Sequence, residues 1–209
     1  MKIIKCVLLC IAVCSLTNCA SSYKTIDPES VNYNSRETTS NEVKLEYKYE
    51  RLRKKYAKKS DKKGVKMVAL KITNNSGSPL TFGKDLLLVY DNGNPIPVMD
   101  NQSVYNVLKQ SPATYLLYLL LTPLNFYTYE TNSNGVEETS SSFPIGLILG
   151  PGITLTNMVV ASSANKQFKT ELETYDLFNT VIPDGETVYG LIGIRTYTYE
   201  SLNLKVNIP

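Results

Sequence analysis

Apolar and polar residues alternate with a period of two in two stretches of this chain. The apolar positions are Val43, Leu45, Tyr47 and Tyr49 in the first stretch and Leu202, Leu204, Val206 and Ile208 in the second. Such alternation predicts β-strands with one buried face. Further strands are predicted at 65–74, 85–90 and 187–196, the last being central because it is apolar on both faces. Turns are predicted at the lysine-rich residues 57–64 and at 75–79 and 91–95.

The middle of the chain has a helical pattern. A short helix is predicted at 100–110, and a second begins at Ser111-Pro112, a pair typical of the N-cap and first helical position. The second helix is apolar all round, as expected of a helix that is buried on every side or lies in lipid. Residues 125–142 are predicted to be a polar loop. The apolar residues 143–161 are interrupted by five Gly and Pro residues and continue into helical spacing up to Tyr175.

The order of these elements predicts the fold class. Strands come first, helices interrupt them and strands return, which favours a mainly β, α+β fold: an antiparallel sandwich at 42–209 with a helical insertion at about 100–180. Residues 68–76 with 88–93, and residues 182–190, resemble the immunoglobulin-like domains of secreted and lipid-anchored bacterial proteins. The resemblance implies an immunoglobulin-like β-sandwich used for adhesion, scaffolding or binding rather than catalysis.

The N-terminus carries an export pattern. Lys2 and Lys5 precede an uncharged, mostly apolar stretch at 6–17, which as a helix is about 18 Å long and too short to span a bilayer. The stretch ends in Leu16-Thr17-Asn18-Cys19, which resembles a lipobox, although Asn18 departs from the usual small residue. The resemblance implies that 1–18 is a lipoprotein signal peptide and that Cys19 is lipidated. The alternative is an ordinary cleaved signal with a chance cysteine.

Lipidation predicts where the protein resides. Acyl chains on Cys19 would anchor it to a bacterial membrane, because each buried CH₂ contributes about 0.8 kcal/mol. The polar residues 19–41 are predicted to be a flexible tether, with an ordered edge strand as the alternative. In lipoprotein families the residue after the cysteine influences sorting. Ala20 is not the Asp linked to inner-membrane retention, and 20–24 lack an acidic cluster, which favours the periplasmic face of the outer membrane.

Composition argues against the common catalytic chemistries. The chain has no His, and Cys19 would be the only cysteine after cleavage, which leaves no disulfide, thiol nucleophile or usual zinc site. Glu137 and Glu138 are adjacent in sequence, so they lack the opposed placement that a glycosidase needs. The Asp91–Asn94 turn lacks the later Glu of an EF-hand loop. We therefore predict no enzyme activity, no catalytic residue, no metal site and no cofactor.

A basic segment is the other candidate site. Its cations are Arg51, Arg53, Lys54, Lys55, Lys58, Lys59, Lys62 and Lys63. The preferred interpretation is a solubilising hairpin that protects a sheet edge, and the functional alternative is contact with an anionic surface, such as lipid headgroups or the cell wall. The export pattern argues against a nucleic-acid partner.

The function predicted from the sequence is that of a lipid-anchored cell-envelope protein that acts as a non-catalytic binding or assembly module at the membrane surface. The alternative is a subunit of an oligomeric envelope complex, in which the apolar residues 112–161 form an interface or dip into the membrane. Burial of these residues within the domain is the expected arrangement, because the first helix is too short to span and the second is broken by Gly and Pro.

Overall fold

A computed structural model of the chain describes residues 19–33, 37–40 and 42–207. The predicted signal peptide 1–18 and residues 34–36, 41, 208 and 209 lie outside the described residues. The strands are β1 (Glu37–Ser40), β2 (Val43–Glu50), β3 (Val65–Asn74), β4 (Leu80–Thr81), β5 (Leu86–Tyr90), β6 (Val98–Met99), β7 (Phe126–Thr131), β8 (Glu137–Phe143), β9 (Val181–Ile182), β10 (Thr187–Arg195) and β11 (Leu202–Val206). The helices are α1 (Lys54–Lys63), α2 (Asn101–Leu108), a 3₁₀ helix (Pro112–Leu121) and α3 (Gly146–Thr174).

The fold is α+β with antiparallel sheets, as the sequence predicts, but helix and strand contents are about equal rather than mainly β. The largest sheet has the strand order β1-β2-β3-β10-β6, and each neighbouring pair in it is antiparallel. Shorter antiparallel pairs are β5–β11, β4–β9 and β7–β8. The central position predicted for the last long strand is correct, because β10 lies between β3 and β6.

The chain divides into two compact units. The insertion unit consists of residues 19–22 and Gln110–Ala164, and the sheet unit consists of Tyr23–Lys109 and 165–207. Helix α3 begins in the insertion unit and ends in the sheet unit.

The sheet unit has a hydrophobic core. Its buried side chains come from one face of the large sheet and from the short pairs β5–β11 and β4–β9; they include Leu45, Leu70, Ile72, Leu80, Leu86, Ile182, Ile194 and Leu202. The opposite face of the large sheet is also buried, with Met67 and Ala69 in β3 almost fully inaccessible. Helix α1 contacts β3 and helix α2 contacts β10 on the sheet. Gly193 in β10 leaves the space that the Val104 side chain occupies.

The stretches that carry the immunoglobulin-like resemblance meet in space. Asn74, which is buried at the end of β3, donates from its side-chain amide to the carbonyls of Ser78 (2.8 Å) and Ile182 (2.9 Å). Its backbone carbonyl accepts from the Gly185 N–H at 2.6 Å. The Asn-rich turn and the later Pro-x-Gly turn are therefore joined at Asn74, through both its side-chain amide and its backbone.

The lysine-rich turn predicted at 57–64 is wrong, because these residues belong to helix α1. Tyr56 and Ser60 lie one helical turn apart and form its buried face. Gly64 ends the helix in the left-handed conformation (φ 60°), and its N–H donates to the Ser60 carbonyl. Helix α1 therefore takes the place of the expected turn between the paired strands β2 and β3.

The other differences fall in the insertion. The polar loop predicted at 125–142 is instead the hairpin β7–β8, whose residues are all exposed. The Gly/Pro-broken segment at 143–161 is a continuous helix from Gly146 onward that includes Pro151. The short helix predicted at 100–110 is confirmed as α2, and its N-cap Asp100 accepts from the Ser103 N–H at 2.8 Å.

The segment 23–33, expected to be a flexible tether, packs within the sheet unit. Tyr23 is buried, and its ring lies 5.1 Å from that of Tyr56 and 5.0 Å from that of Phe168. The backbone N–H groups of Ile26 and Asp27 donate to the Glu171 carboxylate at 2.7 and 2.9 Å. The expectation differs from the structure because the partners on α3 lie about 145 residues away in sequence.

Candidate functional site

Cys19 is exposed and belongs to the insertion unit. The residues that follow it are held by side chains of that unit: the Ala20 N–H donates to Asn157 Oδ1 at 2.5 Å, and the Ser21 N–H donates to Gln110 Oε1 at 3.0 Å. Gln110 Nε2 donates in return to the Ser21 carbonyl at 2.6 Å. The predicted lipidation site is therefore fixed to the surface of this unit rather than placed at the end of a loose segment.

Tyr115 and Tyr118 of the 3₁₀ helix lie near Cys19. Both rings are buried, and they stack with centroids 6.4 Å apart in a small cluster that includes Ala20 and Ala161. Burial raises the pKa of both hydroxyls, with a smaller contribution from nearby Cys19. Because Ala20 packs in the same cluster, the predicted acylation site lies beside the 3₁₀ helix.

The buried face of α3 within the insertion unit carries small and polar residues. They recur at helical spacing and are Gly146, Gly150, Thr154, Asn157, Ala161 and Ala164. The polar ones are satisfied locally: Thr154 Oγ1 donates to the Gly150 carbonyl at 2.8 Å, and Asn157 Nδ2 donates to the Ile153 carbonyl at 2.8 Å. Small residues on this face allow neighbouring backbone to come close.

The two glycines of this face are needed for that close approach. A Cβ at Gly146 would overlap the backbone carbonyls of Leu121 and Thr122, and one at Gly150 would meet the Thr122 side chain. The end of the 3₁₀ helix therefore lies directly on the start of α3. The Gly146–Gly150 spacing was visible in the sequence, but a small-xxx-small match is too common by chance to indicate a contact.

Large apolar side chains point outward from the insertion unit. Leu117 and Leu120 are 68% and 75% exposed, which contradicts the expected burial of the apolar segments within the domain. The others on the 3₁₀ helix and α3 are Leu116, Leu119, Leu147, Ile148, Leu149, Leu155 and Val159. The polarity of this unit is thus reversed, with small and polar residues inside and leucines outside. Exposed apolar patches this large mark membrane or protein contact sites.

Helix α3 also has the length and composition of a membrane-crossing segment. Only 28% of its most apolar 18-residue stretch is buried. It is the one such helix among residues 19–33, 37–40 and 42–207. Its C-terminal half, however, contributes Phe168 and Leu172 to buried positions of the sheet unit.

Helix α1 gathers the predicted basic residues on one element of the sheet unit. Lys54, Lys58 and Lys62 follow one another at intervals of four, and all are exposed. Lys55, Lys59 and Lys63 form a second row, while Arg51 and Arg53 precede the helix and are exposed. Asp61, the single acid between Arg51 and Lys63, pairs with Lys66 at 2.9 Å.

Lys109 also belongs to this basic cluster, although the sequence did not indicate it. Lys59 Nζ donates to the backbone carbonyl of Lys109, at the end of α2. Burial, followed by repulsion from Lys63, Lys109 and Lys55, lowers the pKa of Lys59. Lys109 is 50 residues away from Lys59 in sequence, so no local pattern indicated the contact.

Among the described residues, no group of three or more Cys, Asp or Glu side chains is placed to hold a metal ion. No protein-family model, curated protein or solved structure matches this chain. The candidate sites are therefore the apolar surface beside Cys19, defined by the outward leucines, isoleucine and valine above, and the basic surface of α1.

Proposed function

We propose that this chain is a lipid-anchored protein of the bacterial cell envelope, whose insertion unit dips into the membrane beside the anchor and whose sheet unit is a non-catalytic binding or assembly module. The observation that carries this proposal is the reversed polarity of the insertion unit around Cys19. It supports the membrane-dipping element that the sequence left as an alternative.

The solvent explains the reversed polarity. In water, exposed leucines are unfavourable by about 25 cal/mol per Å² of apolar surface, whereas hydrocarbon removes this cost. In lipid there is no hydrophobic driving force to bury apolar side chains between helices. Helices therefore pack through small residues, and their polar groups form hydrogen bonds inside the protein. Gly146 and Asn157 on the inner face and Leu155 on the outer face follow this rule.

The anchor and the apolar surface reinforce each other. A single acyl chain binds a membrane only marginally, so stable attachment takes more than one apolar element. Acyl chains on Cys19 would enter the bilayer next to Tyr115 and the outward leucines. Ala20 favours the outer membrane, and we place the protein on its periplasmic face.

For the sheet unit we propose an immunoglobulin-like sandwich. The core between the large sheet and the β5–β11 and β4–β9 pairs supports two packed layers. The link from Asn74 to Ile182 joins the two stretches that carry the resemblance. A sandwich of this kind presents loops and strand edges for binding, which agrees with a scaffolding or adhesive role.

Lipid labelling tests the anchor. Cells that express the wild-type chain or Cys19→Ala are fed radiolabelled palmitate and fractionated. Label on the wild type only, with loss of the variant from the membrane fraction, is the expected result. An unlabelled wild type, beside a known lipoprotein that is labelled, overturns the anchor.

Hydrophobic photolabelling tests the dipping element. A photoreactive probe confined to the bilayer should mark 112–121 and 146–159 in the membrane-bound protein. Phe178, which is 62% exposed in the sheet unit, provides the matched apolar control and should remain unmarked. If the insertion stays unmarked and instead cross-links between copies of the chain, the apolar surface is an oligomer interface and membrane dipping is wrong.

A further inference from the structure

Helix α1 carries two rows of like charge, which is an energetically unfavourable arrangement for an isolated helix. Lysines four residues apart on a helix repel each other, and here the pattern occurs along 54, 58 and 62 and again along 55, 59 and 63. Lys109 adds a further positive charge beside Lys59. An anionic partner would relieve this repulsion.

Most of these lysines are not paired with a carboxylate of the described residues. Asp61 is engaged with Lys66, whose ammonium also lies 4.8 Å from the centre of the Tyr199 ring. Among the described residues, Lys54, Lys58, Lys62 and Lys63 form no ion pair with an acid. The outward side of α1 is therefore a cationic surface held on a well-packed helix.

Exposed tyrosines adjoin the end of this helix. The Thr196 N–H donates to the Gly64 carbonyl at 2.8 Å, which fastens the loop after β10 to the end of α1. The Tyr197 ring lies where a Cβ on Gly64 would be, and yet this side chain is 72% exposed. Tyr199 is also exposed and packs edge-on against Tyr49, with ring centroids 5.2 Å apart. Tyrosine rings next to lysines are typical of surfaces that rest at the headgroup level of a bilayer.

We propose that the exposed face of α1, with Lys109, Tyr197 and Tyr199, binds the phosphate headgroups of anionic phospholipids. This inference rests on the proposed function, because the lipid on Cys19 is what supplies an anionic bilayer within reach. Lysines bind the phosphates by charge, and the tyrosines pack among the headgroups. A single-stranded nucleic acid uses the same residue types, and it enters the test as the competing outcome.

The absence of Trp from the chain allows a direct test. The full-length acylated protein with Tyr197→Trp is reconstituted into phosphatidylcholine vesicles with brominated acyl chains, with or without phosphatidylglycerol. We expect Trp fluorescence to shift to the blue and to be quenched only when phosphatidylglycerol is present, and high salt should reverse the change. Phe178→Trp, which is exposed elsewhere in the sheet unit, should not respond.

A charge variant tests the lysines. Lys54→Gln/Lys58→Gln/Lys62→Gln should weaken the phosphatidylglycerol response about 100-fold, since each lysine near an anionic surface contributes roughly a fivefold gain. The matched control is Lys84→Gln/Lys166→Gln/Lys205→Gln, which removes three exposed lysines from other elements and should leave the response unchanged. Circular dichroism confirms that both triple variants are folded.

The outcomes separate this inference from the proposed function. Vesicle-bound protein whose Tyr197→Trp signal is the same on neutral and anionic lipid overturns the headgroup site and leaves the anchor intact. If the acylated protein does not bind neutral vesicles, the anchor is overturned. The response of Tyr197→Trp to phosphatidylglycerol then still tests whether α1 binds anionic headgroups. An oligonucleotide that binds through the three lysines, with no vesicle response, also overturns the proposal.

Discussion

The buried carboxylate of Glu171 accepts a hydrogen bond from the hydroxyl of Tyr23, which lies 148 residues earlier in the chain. The same carboxylate accepts from the backbone N–H groups of Ile26 and Asp27. Glu171 is only 6% exposed, so these donors replace the water that its charge has lost. Burial and the Glu171 charge raise the pKa of Tyr23, which keeps its hydroxyl a donor.

Replacing Glu171 should release the segment 23–33. Glu171→Ala leaves the Tyr23 hydroxyl and two N–H groups without their acceptor, and we expect a loss of about 3 kcal/mol in the free energy of unfolding, measured with urea. The segment should also become sensitive to protease. Glu173→Ala is the control, because its carboxylate is exposed and its ion pair with Lys169 is long, at 3.5 Å, so it should cost less than about 0.5 kcal/mol. Equal losses for the two variants would contradict the role given to Glu171.

Gly146 and Gly152 differ in the space around them, although both lie in α3. Gly146→Ala introduces a methyl group into the Leu121 and Thr122 backbone and should destabilise the insertion unit by about 1–3 kcal/mol. Gly152→Ala meets no atom within 4 Å and should stabilise the helix by up to about 1 kcal/mol, since alanine is the better helix former. Hydrogen exchange of the 3₁₀ helix measures both effects. Matching exchange in the two variants would show that the close contact is not needed.

Asn74 and Asn75 offer a second matched pair. Asn74→Ala removes the buried amide that joins Ser78 and Ile182, and we expect a loss of about 2–3 kcal/mol of stability, because the Ile182 carbonyl loses this donor and the Ser76 N–H and hydroxyl lose their acceptor. Asn75 is exposed, so Asn75→Ala should change the free energy of unfolding by less than about 0.5 kcal/mol. Thermal unfolding of the two variants provides the measurement. A neutral Asn74→Ala would mean that the other contacts between the two turns, such as the hydrogen bond from the Gly77 N–H to Asp184 Oδ1, are sufficient to hold them together.

The pair of Glu46 and Lys71 should make stability depend on pH. They face each other across β2 and β3 with Lys71 Nζ 2.8 Å from Glu46 Oε2, and the hydrogen bond from Lys71 lowers the pKa of Glu46 below its ordinary 4.5. Because the folded-state pKa is the lower one, the contribution is present above the ordinary pKa and is lost as the pH falls through the folded value.

Lys71→Gln should therefore cost about 0.5–1 kcal/mol at neutral pH, and the difference from wild type should disappear as the pH falls through the lowered pKa of Glu46. Urea unfolding at several pH values measures it. Lys48→Gln is the control: its 3.2 Å pair with Glu50 is more exposed, and its effect should be smaller. A cost of Lys71→Gln that is independent of pH would indicate lost packing instead of lost charge.

Local pattern in the sequence determined much of the sheet unit. The period-two strand at 43–50, the buried strand at 187–196 and the short helix at 100–110 are set by residues close in sequence, and the structure confirms them to within a few residues at their ends. The lysine row of α1 was visible as charge, but its helix was missed because one buried face of Tyr56 and Ser60 is too short to show a period.

Contacts distant in sequence decided the rest. The segment 23–33 packs in place through Glu171, and the basic cluster includes Lys109. Both residues are far away in sequence and reach these positions only in the folded chain. The sequence by itself determined that 112–121 and 146–159 are apolar and that Cys19 follows an export pattern. Only the tertiary structure decided that the leucines of these two segments face outward next to Cys19. The reason is that Gly146 and Gly150 lack side chains, so the 3₁₀ helix and α3 pack closely at these positions and leave their leucines on the outer surface.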